Sequence, residues 1–214
     1  MIIRQTSLLD RFVSEFDTVV RTLAPPQKRS CLRDPAANIV DQAMTPSEKK
    51  HVAGLMRVNH AGEVCAQALY QGQSLTAKLP EVREQMTQAA LEEVEHLSWC
   101  EQRLQELGSA PSRLNFFWYG GSLAIGLFAG LVSDRVSLGF VAETERQVTA
   151  HLHEHLQRLP SQDVRSKAIL SQMKIDEERH EQIARDAGAY AFPAGVQWLM
   201  QKISKGMTAT AYRI

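Results

Sequence analysis

Apolar residues recur along this chain with a period near 3.6, broken at a few stretches that carry proline or glycine. The first run is Leu8, Leu9, Phe12, Val13, Phe16, Val19, Val20 and Leu23, and it predicts a short amphipathic helix over residues 8–23. Residues 24–44 lose the period and hold Pro25, Pro26, Arg29, Arg33 and Pro35, so a linker laid over the surface is expected there. Thr45-Pro46-Ser47-Glu48 then supplies an N-cap threonine, a proline at the first helical position and a glutamate at N3, the capping-box arrangement. It predicts a helix running to about residue 78. Pro80 precedes a second helix over 81–107, which Gly108-Ser109-Ala110-Pro111 closes. Further helices are predicted over about 136–159, over 162–187 after Pro160-Ser161, and over about 194–205 beyond Gly188 and Pro193. No strand-like alternation of useful length appears. The fold expected is all-α, with residues 1–44 an N-terminal helix and linker and residues 45–214 a single helical domain.

Residues 115–132 stand apart because they contain no charged side chain. As a helix, the 17 residues from Phe116 would extend about 25 Å, short of the roughly 30 Å of a bilayer's hydrocarbon core. One reading is a buried core helix whose Gly126 and Gly130 permit a tight crossing. The other is an element that dips into one leaflet, with Trp118 and Tyr119 at the headgroup level. The last helix favours the second, because Tyr190, Phe192, Trp198, Leu199 and Met200 stand beside Lys202 and Lys205. Peripheral binding to a membrane lipid surface is therefore expected.

Charge and cysteine content narrow the function classes. The 24 Lys and Arg balance 24 Asp and Glu, so no basic field suggests a nucleic-acid partner. Cys31, Cys65 and Cys100 are odd in number and form no Cys-x-x-Cys, which argues against a disulfide framework or a zinc knuckle. The segment Met-Ile-Ile-Arg-Gln-Thr-Ser opens no apolar run of signal-peptide type, and an intracellular chain is expected.

The chemistry lies in a motif used twice, Glu93-x-x-His96 and Glu177-x-x-His180. Positions i and i+3 share a helix face about 4.5 Å apart along the axis, so a carboxylate and an imidazole can grip one metal ion from one rigid element. Each motif is preceded by a glutamate at nearly equal spacing: Glu63 lies 30 residues before Glu93, and Glu145 lies 32 before Glu177. That interval is one long helix, a turn and the way back. The pattern reads as a duplicated helical hairpin closing on two metals, as in the ferritin-like di-iron carboxylate bundles. A wet face is the bland reading, and the apolar flanks Leu91, Val94, Leu97, Trp99, Ile169, Met173 and Ile175 argue against it. Gly62, beside Glu63, and Gly72 are expected to mark close packing of a neighbouring helix. Glu143 and Glu145 are two apart on their helix, so only one of them can face the metals.

Four segments together resemble the demethoxyubiquinone hydroxylase (Coq7) family, in its longer bacterial type. They are Arg57-Val58-Asn59-His60-Ala61-Gly62-Glu63, Glu92-Glu93-Val94-Glu95-His96, the surroundings of Glu145, and Asp176-Glu177-Glu178-Arg179-His180. The likeness covers residues 45–188, and the Arg-Val-Asn-His-Ala-Gly-Glu segment is far more specific than Glu-x-x-His. It implies metal ligation by Glu63, Glu93, His96, Glu145, Glu177 and His180, the same set that spacing selects, with Glu145 favoured over Glu143. The resemblance implies an O2-dependent di-iron monooxygenase that hydroxylates the ring of a demethoxylated polyprenyl ubiquinol, late in ubiquinone biosynthesis, peripherally at the cytoplasmic face of the cell membrane. Other ubiquinone-biosynthesis proteins are then expected partners. Hard carboxylates with only two imidazoles suit iron or manganese over zinc or copper. Glu63, Glu93, Glu145 and Glu177 can shift between terminal and bridging modes as two irons cycle between Fe2+ and Fe3+.

Around that set, Asp176 and Asn59 are candidates to orient histidines, Tyr70 to line the pocket or simply to pack, and His60 to be structural. His151, His153 and His155 alternate along a helix and point different ways, which argues against a metal tract. No Gly-x-Gly-x-x-Gly follows a strand, so the two electrons of each turnover come from a reductase, from docked NADH or from the quinol. Two rival readings are a ferritin-like iron oxidase, store or peroxidase, and a membrane-associated helical interaction protein with the six residues exposed.

Overall fold

The computed structural model describes residues 8–24 and 34–214. Cys31 and the prolines and arginines of 25–33 lie outside the described residues. The chain forms α1 (Leu8–Leu23), α2 (Pro46–Thr76), α3 (Pro80–Glu106), α4 (Asn115–Val132), α5 (Asp134–Arg158), α6 (Val164–Asp186) and α7 (Ala194–Ala211). No strand is present among the described residues, and the all-α expectation holds. The last helix runs six residues past the predicted end at 205.

Local signals explain the long helices. Thr45 Oγ1 accepts from Glu48 N at 3.3 Å, while Glu48 Oε2 accepts from Thr45 N at 2.8 Å, so the capping box forms and α2 starts where the sequence places it. Asp134, in the first turn of α5, accepts from the backbone N–H groups of Lys78 and Leu79 and joins the α2–α3 turn to α5.

The two hairpins α2–α3 and α5–α6 make a four-helix bundle of the ferritin-like kind, with α4 laid along α2 and α7 crossing its N-terminal half. Two apolar clusters occupy its ends. One holds Val52, Met56, Trp99, Cys100, Leu104, Leu152, Leu170 and Met173; the other holds Ala66, Tyr70, Met86, Leu138, Val141 and Ala184. The candidate ligands lie between them.

Several flank expectations need correction. Leu97, Trp99, Ile169 and Met173 are buried, whereas Leu91 and Ile175 are 61% and 59% exposed and Val94 is also exposed. Leu91 and Ile175 each sit two residues before the inward glutamate, about 200° around the helix, so they must face out. Residues 34–44 are more than a surface linker. Ala36 is in the core, and the buried Arg103 guanidinium pairs with Asp41 at 3.0 Å and Asp163 at 2.9 Å. Gly62 has open space where a Cβ would go, so no neighbour explains it. Gly72 fits the expectation, since a Cβ there would lie 2.6 Å from Leu123 O and 2.7 Å from Leu127 N of α4.

α4 is neither of the two simple alternatives. One face packs on α2, burying Tyr119, Gly126, Ala129 and Gly130. The other leaves Phe116, Phe117, Phe128 and Leu131 exposed, and only 28% of the helix is buried. Tyr119 is therefore not at a headgroup level; its hydroxyl donates to the Gln71 side chain inside the protein. Trp118 also turns inward, against Val58, Ala61 and Ala211.

Candidate metal centre

Glu63 on α2, Glu93 and His96 on α3, Glu145 on α5, and Glu177 and His180 on α6 are all buried inside the bundle. The interaction-protein reading required them on the surface, and it fails on this point. Ligand atoms of Glu63, Glu93, His96 and Glu177 lie within 4.8 Å of one another. His96 Nδ1 is 3.1 Å from Glu93 Oε2 on its own helix and 3.1 Å from Glu177 Oε1 across the bundle. His180 Nδ1 mirrors this, 3.1 Å from Glu177 Oε2 and 3.4 Å from Glu93 Oε1. Each of the two motif glutamates thus spans both histidines. Glu63 stands at the His96 end, 3.7 Å away, and Glu145 accepts a hydrogen bond from the Tyr70 hydroxyl.

Glu143 points elsewhere, toward Arg146 and Gln147 at 2.7 and 2.6 Å, so Glu145 alone of the pair faces inward. The distal nitrogens of the histidines are held crosswise. His96 Nε2 meets Asp176 on α6 at 3.2 Å, and His180 Nε2 meets Glu92 on α3 at 2.8 Å. Arg179 Nη2 reaches both carboxylates, at 2.6 Å for Glu92 and 3.4 Å for Asp176. Asp176 fulfils the expected orienting part. Asn59 also holds a histidine, but not one of the six: its Oδ1 meets His155 Nδ1 at 3.0 Å. Glu92 and Arg179 escaped the sequence reading as orienting groups. The available signal was the repeat itself, because an acidic residue precedes the first glutamate in both motifs.

The other histidines serve packing and local hydrogen bonds. His60 Nε2 pairs with Glu101 at 3.2 Å, while His151, His153 and His155 meet Ser204, Gln157 and Asn59. Tyr70 does both things considered for it: it is fully buried, and it lines a cavity of about 120 Å³ with Met86, Val141, Arg179, His180 and Ile183.

Burying carboxylates and imidazoles together pulls their proton affinities apart. Burial, then the charge of Glu93, pushes Glu63 well above the usual carboxylate range. Burial with the charges of Glu177 and Glu93 does the same to Glu145. Burial also opposes ionisation of Glu93, but the Glu63 hydrogen bond and the His96 charge prevail and hold it well below that range. Burial would lower His96 and His180; the facing carboxylates outweigh it, so His96 sits well above its ordinary value and His180 is raised to about 12. Even so, Glu93 Oε1 and Glu177 Oε1 are buried facing a histidine Nδ1, at 3.4 and 3.1 Å, without a well-aligned hydrogen bond. Natural interiors rarely leave such atoms unpaired. A divalent cation at this place would take up both, and a set of hard oxygens with two imidazoles suits one. This buried group can hold metal.

The architecture is that of a ferritin-like four-helix bundle with a carboxylate–histidine centre between its hairpins. Sequence comparison makes the assignment specific. The chain belongs to the family described as ubiquinone biosynthesis protein COQ7, whose model matches residues 50–211. It is 58% identical over 212 residues to a 3-demethoxyubiquinol 3-hydroxylase of Legionella pneumophila (strain Lens), spanning 99% of this chain and 100% of that protein. A relative of the same name from Ectopseudomonas mendocina (strain ymp) is 56% identical over 211 residues, with 99% and 98% covered. The family expected from the motifs is the family found.

Proposed function

We propose that this protein is an O2-dependent monooxygenase that hydroxylates the ring of a demethoxyubiquinol, using two irons held by Glu63, Glu93, His96, Glu145, Glu177 and His180. The observation that carries this reading is the pair of motif glutamates, each reaching both histidine Nδ1 atoms, in a chain nearly 60% identical end to end to enzymes of that name. Two irons held there would supply the two electrons needed to activate O2 for insertion of one oxygen into an electron-rich ring.

The protein's own residues prepare that chemistry. Glu93 and Glu177, each close to both histidines, would hold the metals from the middle of the group, and Glu63 and Glu145 would hold them from opposite sides. Asp176 and Glu92 fix the imidazole planes through Nε2, leaving Nδ1 directed into the centre. Arg179 holds those two carboxylates in place. The apolar clusters on either side keep bulk water away from the reacting ring.

Peripheral attachment to the cytoplasmic face of the cell membrane belongs to the same reading. Its support is the exposed apolar face of α4, together with Trp198, Leu199 and Ile203 on α7, with the Lys202 ammonium 5.4 Å from the Trp198 ring. A polyprenyl tail can then remain in lipid while its ring enters the bundle. A plain iron-storage protein has no use for such a surface.

The decisive experiment is lipid extraction from a strain lacking the gene. Accumulation of a quinone short of one methoxy group, relieved by the wild-type gene but not by Glu177→Ala, is the expected result. A normal ubiquinone profile in the deletion strain would refute the assignment.

A further inference from the structure

Arg57 opens the Arg-Val-Asn-His-Ala-Gly-Glu segment but serves no metal-facing residue. Its Nε donates to Ala110 O at 3.0 Å, its Nη1 to Tyr212 O at 3.0 Å and its Nη2 to Ser109 Oγ at 2.7 Å. All three acceptors are neutral, and no Asp or Glu among the described residues pairs with it. Residues 1–7 and 25–33 contain no Asp or Glu, so they cannot supply one. Burial lowers its pKa from the ordinary arginine value with nothing anionic to offset it. A half-buried guanidinium without a counter-charge is costly, which points to an anion from outside the chain.

A cavity of about 350 Å³ adjoins Arg57, lined also by Ser109, Arg113 and Arg213. Arg113 and Arg213 are exposed and have no ion-pair partner among the described residues. Three cations from three parts of the chain thus share one cavity with no Asp or Glu side chain, and they outnumber the single main-chain carboxylate that Ile214 brings to its lining. A second cavity, of about 390 Å³, shares Pro111 and Arg113 with the first and extends to Phe116. Phe116 and Phe117 begin the exposed apolar face of α4.

We propose that the Arg57–Arg113–Arg213 cavity binds the phosphate of an anionic phospholipid headgroup, whose acyl chains run along Phe116 and Phe117. Arginine suits phosphate because its planar fork donates two parallel hydrogen bonds to it. The continuity from the basic cavity to an apolar helix face favours a lipid over free phosphate, since only a lipid uses both. This inference rests on the membrane attachment proposed above and adds to it a headgroup preference set at one place.

The test is flotation of the iron-loaded protein with vesicles of phosphatidylcholine alone, or of phosphatidylcholine with a minority of phosphatidylglycerol. Wild type should prefer the anionic vesicles. Arg113→Ala with Arg213→Ala should weaken that binding about thirtyfold, roughly fivefold for each cation removed near a lipid surface, and leave binding to phosphatidylcholine unchanged. Both side chains are exposed, so iron content and helicity should match wild type. Lys202→Ala with Lys205→Ala removes the same charge from α7 and should cost clearly less. Equal losses in the two double variants would mean diffuse surface attraction and would overturn the site. Release of wild type from anionic vesicles by inorganic phosphate, beyond the effect of chloride at equal ionic strength, would assign the cavity to free phosphate and overturn the lipid. Failure of wild type to float with either vesicle would sink the membrane reading itself, an outcome distinct from loss of the preference alone.

Discussion

The crossing of α4 on α2 gives a test whose sign changes within one helix. A Cβ on Gly126 would overlap the carbonyl oxygen of Leu69, and one on Gly72 would lie 2.6 Å from Leu123 O. Both obstacles are backbone, so neither can swing aside as a side chain tip would. Adding a methyl group to a packed interface costs about 1–3 kcal/mol, and rigid backbone neighbours place Gly126→Ala at the upper end. Replacing a helical glycine with alanine returns up to about 1 kcal/mol of helix propensity. The net loss should be about 2 kcal/mol, which for a chain of 214 residues corresponds to a melting temperature lower by roughly 4–8 °C. Gly120 lies on the same helix with nothing within 4 Å of an added Cβ. Gly120→Ala therefore keeps only the propensity gain and should melt about 2–4 °C higher than wild type. Thermal unfolding followed by circular dichroism, with iron content measured on the same samples, reads both. If Gly126→Ala melts with or above Gly120→Ala, the close backbone contact does not exist in solution.

Three further outcomes follow from the centre and its surroundings. Anaerobic loading should give about two irons per chain, and Glu177→Ala or His96→Ala should each lose metal while staying helical; full occupancy in both would refute the ligand set. Before metal binds, His96 and His180 hold protons, the latter with a pKa raised to about 12, so each imidazolium must lose its proton to solvent before its nitrogen can ligate a metal. The apparent constant for loading both Fe2+ ions should climb at least about a hundredfold per pH unit near neutrality, tenfold for each imidazole, in anaerobic titrations at pH 6 and 7; a flat profile would contradict the protonated apo centre. Phe128 is 69% exposed on α4, so Phe128→Asp should fold and load iron normally yet bind membranes about a hundredfold less, from the roughly 2.5–3.5 kcal/mol cost of a carboxylate in lipid. Turnover should fall on long-tailed quinol and persist on a short-tailed, water-soluble analogue, and equal loss on both would remove the membrane role from α4.

The helices and the inward-facing glutamates were legible because both depend on local spacing. An i, i+3 pair on a helix has its relative geometry set by 1.5 Å and 100° per residue, whatever packs around it. The thirty-residue interval adds the one long-range fact needed, that a neighbouring helix returns alongside. What the sequence did not reveal depends on a partner rather than on spacing. Trp118 and Tyr119 have the composition of a headgroup belt, and only the Gln71 side chain, two helical turns beyond Glu63 on α2, shows why Tyr119 turns inward. Gly62 and Gly72 look alike in sequence, yet α4 reaches only the second. Asn59 and Asp176 looked equally able to orient a histidine, and the bundle brings only Asp176 within reach of one in the centre.

The duplicated motif suggests two equivalent halves, and the structure shows where the equivalence stops. Glu93 and Glu177 mirror each other, and Glu92 and Asp176 hold the distal nitrogens in matching fashion. A single arginine, Arg179, serves both of these carboxylates, and the matching position on α3 is Glu95, an acid. The terminal carboxylates differ more. Tyr70 follows Glu63 by seven residues and crosses to Glu145, whereas the residue seven beyond Glu145 is Leu152, buried in the apolar cluster with Met56, Cys100 and Met173. Glu145 is thus tied by a phenol. Glu63 has no such tether in the opposite half; its carboxylate lies 3.7 Å from His96 Nδ1. Carboxylates change binding mode most easily where no other group tethers them, so on the di-iron reading proposed above the Glu63 end would be the one to rearrange as charge at the centre changes. The Glu145 end, beside the cavity lined by Tyr70 and His180, keeps its geometry. A duplicated hairpin would by itself give two like halves; Tyr70 and Leu152 make them unlike, and two metals held as proposed would differ accordingly.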